Sequence, residues 1–222
     1  MAKQKISFLS LLLELFVVII GISIAFWIEK AAADRSKKQE ELLHLKGVED
    51  DLKTDLKVFE EYIGYGEATL GYIDRLNQLI REKDKNNDSL NYLMLRAGCI
   101  SNHDPRDITY QSMKSSGALE QITNFELRRS LVYHYEQRVS NVHFMNELHE
   151  RHLNEYVTPM LIRYTDFTSG NPVDPAIFRS REVINIFAGL QGQISNKINR
   201  YRGAVGHTSE LLEEVQAEIG KF

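Results

Sequence analysis

Two histidines on one predicted helix form the densest group of metal-ligand residue types in the chain. His149 and His152 are three residues apart, with Glu147 and Glu150 beside them. The pattern lacks the i,i+4 histidine spacing of zinc proteases, and no Glu-x-x-His pair recurs to build a carboxylate-bridged di-iron site. We therefore predict no metal and no cofactor, and interpret the pair as two partly exposed imidazoles on a polar helix face or at a helix interface.

Two other groups contain the residue types of nucleophilic catalysis. One pairs Cys99 with His103. The other is a set of hydroxyls and one amine: Tyr110, Ser112, Lys114, Ser115 and Ser116. Neither group has a third orienting residue or an oxyanion turn that the sequence reveals. The Ser-Ser-Gly end of the second set is typical of helix termination, because serine competes for backbone hydrogen bonds and glycine accepts the left-handed conformation. We therefore predict that the chain is not an enzyme.

Three glycines, Gly64, Gly66 and Gly71, are interleaved with tyrosines between Tyr62 and Tyr72. A phosphate-binding loop would need a strand before the glycines and a Lys-Ser/Thr pair after them, and this stretch has neither. The glycines instead predict a hinge in a helix or a close crossing of two helices.

The apolar run Ile6–Ile28 contains a single formal charge, Glu14. At about 1.5 Å per residue, a helix of this length crosses the roughly 30 Å hydrocarbon core of a bilayer. Trp27 suits the membrane interface, where aromatic side chains concentrate. Charged residues follow Ile28 directly, and the small-residue patch 31–33 alone resembles a cleavage site. We therefore predict an uncleaved, single-pass membrane anchor.

Small and polar residues lie on one face of this predicted transmembrane helix. Ser10, Glu14 and Gly21 share that face on a seven-residue repeat, and Gly21 and Ala25 form a small-xxx-small pair. Membrane helices contact each other through such stripes. An ionisable residue in a span costs about 2.5–3.5 kcal/mol on insertion scales, so it usually faces protein or water. Two interpretations stay open for Glu14: a protonated carboxyl that hydrogen-bonds between helices, or an ion or proton site.

The composition of the chain as a whole is ordinary for a globular protein. The chain has a formal net charge of −4, with 43% hydrophobic and 26% charged residues. Basic residues alternate with acidic ones, so we expect no nucleic-acid partner. The single cysteine, Cys99, excludes an intrachain disulfide framework. More basic residues follow the span than precede it, which favours a cytoplasmic C-terminal part, although a short basic N-terminus also suits the opposite orientation.

The spacing of apolar residues predicts an all-α protein, in which the transmembrane helix continues into a long helix and then an elongated antiparallel helical bundle. We divide the chain into a short basic N-terminus (1–5), the transmembrane helix (6–28), a long amphipathic helix with an imperfect coiled-coil pattern (29–83), short helices and loops (84–123), and a helical hairpin that completes the bundle (124–222). No stretch alternates convincingly enough for a strand.

Local signals predict where several helices begin and end. Thr123–Glu126 has the spacing of a capping box, and Ser180 precedes the last long helix. Gly98 and Gly117 follow the two short helices, where glycine commonly ends a helix.

Two segments of the chain show a family resemblance. The first is Glu14–Ala25, ELFVVIIGISIA, followed by a charged helix that contains Leu52–Leu56, LKTDL. The second is Thr109–Gly117, TYQSMKSSG, which leads into Glu126–Arg129. Together they resemble a bacterial single-span membrane family known as a domain of unknown function. The chain departs from that family at Glu29–Ala33, where an Asn- and Trp-rich stretch is expected. The resemblance implies a location in a bacterial inner membrane and a helical domain, and supplies no catalytic residues.

These patterns favour a structural or assembly protein whose partners are the lipid bilayer and either a second copy of the chain or another membrane protein. A second hypothesis is an ion- or proton-conducting oligomer with Glu14 on the path. A third and weaker one is a sensory bundle that binds a small ligand between its helices.

Overall fold

Helix α1 (Phe8–Glu82) is 75 residues long and is the longest element of the chain. The computed structural model describes residues 8–82, 87–99, 102–169, 171–174 and 176–222, with the backbone alone at 8–10, 82, 87–88 and 171–172. The basic N-terminus predicted at 1–5 lies outside these residues.

The two parts of α1 differ in what surrounds them. Side chains from 11 to 40 are exposed, apart from a partly buried Ala31, whereas one face of the helix is buried from Glu41 onward. Among the described residues this is the one helix long and apolar enough to cross a membrane. The predicted continuation of an apolar N-terminal helix into the bundle is therefore confirmed.

Further elements follow α1 along the chain. They are α2 (Asn87–Ala97), α3 (Ile108–Ser116), a 3₁₀ turn (Ala118–Gln121), α4 (Phe125–Tyr133), a short π-helix called the first π-turn (His134–Val139), α5 (Ser140–His152), a short π-helix called the second π-turn (Leu153–Val157), α6 (Thr158–Tyr164), β1 (Thr165–Asp166), β2 (Asn171–Pro172), a second 3₁₀ turn (Ile177–Arg179) and α7 (Arg181–Ile219).

Helix α7 runs antiparallel to α1 along the whole bundle. Gln216 donates to Glu49 over 2.9 Å at one end, and Gln191 donates to Asp74 over 2.8 Å at the other. The segment from α4 to α6, the third leg of the bundle, is antiparallel to α7 as well. Helices α2 and α3 form the second leg, which lies between α1 and the third leg and runs antiparallel to both. The bundle thus has four legs that run up, down, up and down, which confirms the predicted helical bundle and adds a leg made of the short helices.

Two π-turns keep the third leg in phase with the core. Its buried residues follow each other at steps of four: Leu127, Leu131, Tyr135 and Val139, and again Leu153, Val157 and Leu161. Four residues of α-helix turn about 400°, so a stripe at this spacing drifts by about 40° per step. A π-turn has more residues per turn and absorbs that drift. Both π-turns lie within these four-residue runs.

The core has two large apolar clusters with a smaller one between them. The cluster nearer the exposed part of α1 includes Leu45, Leu52, Tyr110, Leu131 and Val215. The far cluster includes Leu76, Met94, Val157, Phe187 and Leu190. The middle cluster consists of Phe59, Val142, Tyr201 and Ala204. Polar side chains concentrate at the level of this middle cluster.

Two local predictions are wrong, and others are confirmed. Asn124, one residue after Thr123, caps α4 by accepting from two backbone N–H groups, because Thr123 is engaged by the carboxylate of Glu41. Strands β1 and β2 form a small antiparallel hairpin that no alternation of residues predicted, since each has two residues. The caps predicted at Gly117, which has a φ of 78°, and at Ser180 are confirmed.

Candidate functional site at the break in the second leg

The second leg, formed by α2 and α3, is not helical between Asn102 and Asp107. Asp104-Pro105 accounts for the break, because proline has no N–H and disfavours helical geometry in the residue before it. Pro105 is buried. The backbone groups of this segment therefore need partners other than their own helix.

Asp55 of α1 binds the segment from one side. Its side chain is completely buried, and its two carboxylate oxygens accept from the backbone N–H of Arg106 at 2.9 and 3.1 Å. His103 Nε2 lies 3.1 Å from Asp55 Oδ1, and the His103 ring packs edge-on against Phe59 at 5.5 Å. One carboxylate thus fixes both a backbone N–H and an imidazole of the broken leg.

Tyr201 of α7 and Asn146 of α5 bind the segment from the other side. The Tyr201 hydroxyl donates to Asn146 Oδ1 over 2.7 Å and accepts from the His103 N–H over 3.2 Å. Asn146 Nδ2 in turn donates to the His103 carbonyl over 2.7 Å. Burial raises the pKa of the Tyr201 hydroxyl to about 12, so it stays protonated and keeps donating at neutral pH.

Lys197 of α7 is the buried cation of the site. It is 2% exposed, and its Nζ lies 2.8 Å from Asn102 Oδ1 and 2.9 Å from His149 Nδ1. Because an ammonium can only donate, we assign Nδ1 of His149 as an acceptor and place its proton on Nε2. Burial, with the nearby Lys197 charge, lowers the pKa of His149 to about 3, and burial lowers the pKa of Lys197 to about 8. At pH 7 the pair is therefore a neutral imidazole beside an ammonium.

Five polar side chains from the three surrounding helices are shielded from solvent at the break. Asp55, Asn146, His149, Lys197 and Tyr201 are each at most 3% exposed. Their hydrogen bonds go to each other and to the backbone of the broken leg. Such an arrangement fixes the segment between three helices.

The structure separates the two predicted histidines. His149 points into the bundle toward Lys197, whereas His152 Nε2 donates to the Ile186 carbonyl over 2.9 Å. The expectation of two partly exposed imidazoles is therefore wrong for His149, which is 2% exposed. Among the described residues no group of three or more His, Cys, Asp or Glu side chains is placed to hold a metal ion.

The two candidate nucleophile groups have structural partners. Tyr110 and Lys114 both donate to Glu136 Oε1, at 2.8 and 2.6 Å. The Cys99 thiol donates to the Leu95 carbonyl over 3.3 Å, while His103 is engaged by Asp55. The remaining serines close the end of α3, since Ser115 and Ser116 both donate to the Ser112 carbonyl.

The three glycines of α1 do not interrupt the helix. A Cβ at Gly66 would lie 2.8 Å from a carbon of Ile198, so α7 crosses α1 closely there. Gly64 and Gly71 have open space where a Cβ would project. The close crossing is thus found at one of the three predicted positions.

The predicted membrane residues lie outside the bundle. Glu14, Ala25 and Trp27 are exposed, and a Cβ at Gly21 would meet nothing within 4 Å. Ser10 belongs to α1, and its side chain is outside the described part of the chain. The roles of Ser10, Glu14, Gly21 and Ala25 in helix packing, and of Trp27 as interfacial anchor, stay predictions.

Sequence reasoning missed the residues that hold the broken leg. Asp55 lies between Leu52 and Phe59 on the buried stripe of α1, and Lys197 lies between Ile194 and Tyr201 on that of α7. A charged residue at a core position of an amphipathic helix is the signal that could have found them, because such a group is buried only when it is paired.

The fold and this site define a class of helical proteins in which one helix able to cross a membrane continues into a four-legged bundle fixed by buried polar groups. The chain belongs to DUF6090, a family of unknown function whose model matches residues 14–167. The match includes the broken leg, Asp55 and His149, and ends before α7. Neither the curated proteins nor the solved structures give a match.

Proposed function

We propose that the chain is a non-enzymatic, membrane-anchored helical bundle that acts as an assembly or interaction module. The observation that carries this proposal is the continuity of α1: the same helix is apolar and uncovered from Leu11 to Ile28 and packed into the bundle from Glu41 onward. A helix that is apolar on all sides needs a cover, and lipid supplies it. Anchor and bundle then form one continuous element.

The buried polar groups support a structural role. Asp55, Asn146 and Tyr201 direct their hydrogen-bonding atoms to the broken leg and to each other. Their burial and mutual pairing stabilise one arrangement of the helices, as expected of a protein that presents a fixed surface to a partner.

The anchor supports self-association or a membrane-protein partner. Gly21 leaves open space on the exposed helix, and Ala25 lies one turn further along. Glycine and alanine at this spacing let two membrane helices approach closely. We propose a second copy of the chain as the first partner to test.

The test is the mass of the full chain in mild detergent. We expect an oligomer that Gly21→Leu weakens, because leucine pushes the helix backbones apart. Gly64→Leu is the matched control, since Gly64 also has open surroundings on α1 but lies outside the span. A strict monomer at high concentration contradicts self-association and leaves a different membrane protein as the partner.

A second candidate function is a proton- or ion-conducting oligomer, and it rests on Glu14, a carboxyl within the uncovered apolar segment. Proton flux into liposomes that contain the purified protein tests it. Conduction through Glu14 requires flux above background that Glu14→Gln abolishes. Equal background flux in both proteins removes this candidate.

We propose that the anchor lies in the bacterial inner membrane with the bundle in the cytoplasm. The basic residues Lys30, Arg35, Lys37 and Lys38 after the span support this orientation. A reporter fused after Phe222 is expected to be active in the cytoplasm. Activity of a periplasmic reporter at the same position contradicts the orientation.

A further inference from the structure

The first π-turn buries a histidine that has no hydrogen-bond partner. His134 is 5% exposed, and neither of its ring nitrogens has a partner among the described residues. The Nε of Arg138, one turn further on, is also buried without a partner in the described part of the chain. A buried polar group left unpaired costs about 1–3 kcal/mol, and such groups in native proteins call for an explanation.

Both side chains line one pocket. It has a volume of about 250 Å³ and lies between the first π-turn and α7. Its α7 wall includes His207, Glu210 and Glu214. The volume is below the roughly 300–1,000 Å³ of pockets for drug-sized ligands, so it suits a small molecule. π-turns in α-helices are frequent at functional sites, and this one projects His134 and Arg138 toward the same pocket.

The two walls of the pocket differ in charge. On the π-turn, Arg138 is a permanent cation whose guanidinium lies 4.9 Å from the centre of the Tyr133 ring. Burial lowers the pKa of His134 to about 4, with the nearby His207 and Arg138 adding to the effect. His134 is therefore neutral at pH 7 and offers one N–H and one acceptor nitrogen.

On the α7 wall, Glu210 and Glu214 supply carboxylates. The His207 ring lies 3.4 Å from Glu210 Oε2, so these two α7 side chains engage each other. Glu214 stands one turn beyond Glu210 on the same wall. The pocket thus presents a cation with hydrogen-bond donors on one side and carboxylates on the other.

We propose that this pocket binds a small zwitterion of the amino-acid class, with its carboxylate against Arg138 and His134 and its ammonium against Glu210 and Glu214. The two glutamates repel a simple anion, and Arg138 repels a simple cation, so neither kind of ion interacts favourably with both walls. A zwitterion pairs with both walls at once and also gives His134 a hydrogen-bond partner. This proposal goes beyond the role of the anchor and does not depend on it.

Calorimetric titration of the full chain in detergent tests the proposal. The probes are the twenty common amino acids, with acetate and methylammonium as fragments that carry one charge each. We expect at least one amino acid to bind at least tenfold more tightly than either fragment. The proposal is overturned if no amino acid binds more tightly than the fragments. It is also overturned if acetate has the highest affinity of all the probes.

Variants assign any binding to this pocket. Arg138→Gln and Glu214→Gln are each expected to weaken amino-acid binding at least tenfold, one through the carboxylate and the other through the ammonium. His44→Leu, at a residue of α1 that does not line the pocket, is the control and leaves the affinity unchanged. Circular dichroism shows that each variant is folded before titration. Binding that keeps its affinity in both pocket variants overturns the proposal.

Discussion

The break in the second leg and the first π-turn each bury a histidine, and they differ in what the histidine meets. At the break, His149 Nδ1 lies 2.9 Å from Lys197 Nζ within a network that pairs side chains with an irregular backbone. At the π-turn, His134 has no hydrogen-bond partner among the described residues and borders an open pocket. His149 is paired at Nδ1, although its buried Nε2 has no partner among the described residues, and it belongs to a network that stabilises the fold. The unpaired His134 lowers stability, which is what a binding site often does to its protein.

The largest effect on stability is expected from Asp55→Ala at the break. The substitution removes the acceptor for the buried Arg106 N–H and for His103. Breaking such a buried network costs about 3–5 kcal/mol. Urea unfolding of the full chain in detergent measures it. Asp50→Ala on the exposed face of α1 is the control and is expected to change the free energy of unfolding by less than about 0.5 kcal/mol.

Acid is expected to destabilise the protein through both histidines. The folded pKa is about 3 for His149 and about 4 for His134, below the usual value of 6.5. Below pH 6.5 the unfolded chain therefore binds protons that the folded chain does not. The free energy of unfolding is thus highest above pH 6.5 and falls as the pH drops toward the folded pKa values.

Each histidine is expected to account for about 2 kcal/mol of the stability lost between pH 7 and pH 5. The free energy of unfolding is measured at both pH values for the unmodified chain and for His149→Leu and His134→Leu. Each variant is expected to lose less stability than the unmodified chain. Equal losses in all three proteins contradict the assignment.

At pH 7 the same two variants are expected to have opposite effects. His149→Leu removes an acceptor of the buried Lys197 and is expected to destabilise the protein by about 2 kcal/mol. His134→Leu removes two unpaired polar atoms and is expected to be neutral or to stabilise by about 1 kcal/mol. Thermal unfolding of both variants in the same detergent gives the comparison. A destabilising His134→Leu shows that His134 is structural after all.

The smallest effect is expected from a surface pair beside the first π-turn. Lys114 Nζ lies 2.6 Å from Glu136 Oε1, and both side chains are about half exposed. Lys114→Ala is expected to change the free energy of unfolding by about 0.5 kcal/mol or less, because solvent screens the pair. A loss similar to that of His149→Leu means that the π-turn depends on this contact.

The sequence by itself determined the helical class, the caps at Gly117 and Ser180, and the helix that can cross a membrane. These features depend on residues close together in the chain: an unbroken apolar run, a repeat of three and four residues, and the backbone preferences of glycine and serine. The first π-turn was not predicted, although the four-residue steps around Tyr135 and Val139 exceed the period of an α-helix.

The tertiary structure alone decided which polar side chains meet. Asp55, Asn146 and Lys197 come from three helices, and each was ambiguous on its own helix, because a polar residue on a stripe can face a partner, solvent or a ligand. Proline disfavours a helix at Asp104-Pro105 through its local geometry, but the partners of this segment could not be predicted, since they lie from 42 to 98 residues away along the chain. The same holds for the pocket at His134. Its opposite wall belongs to α7, and no spacing within one helix records which residues of another helix lie across from it.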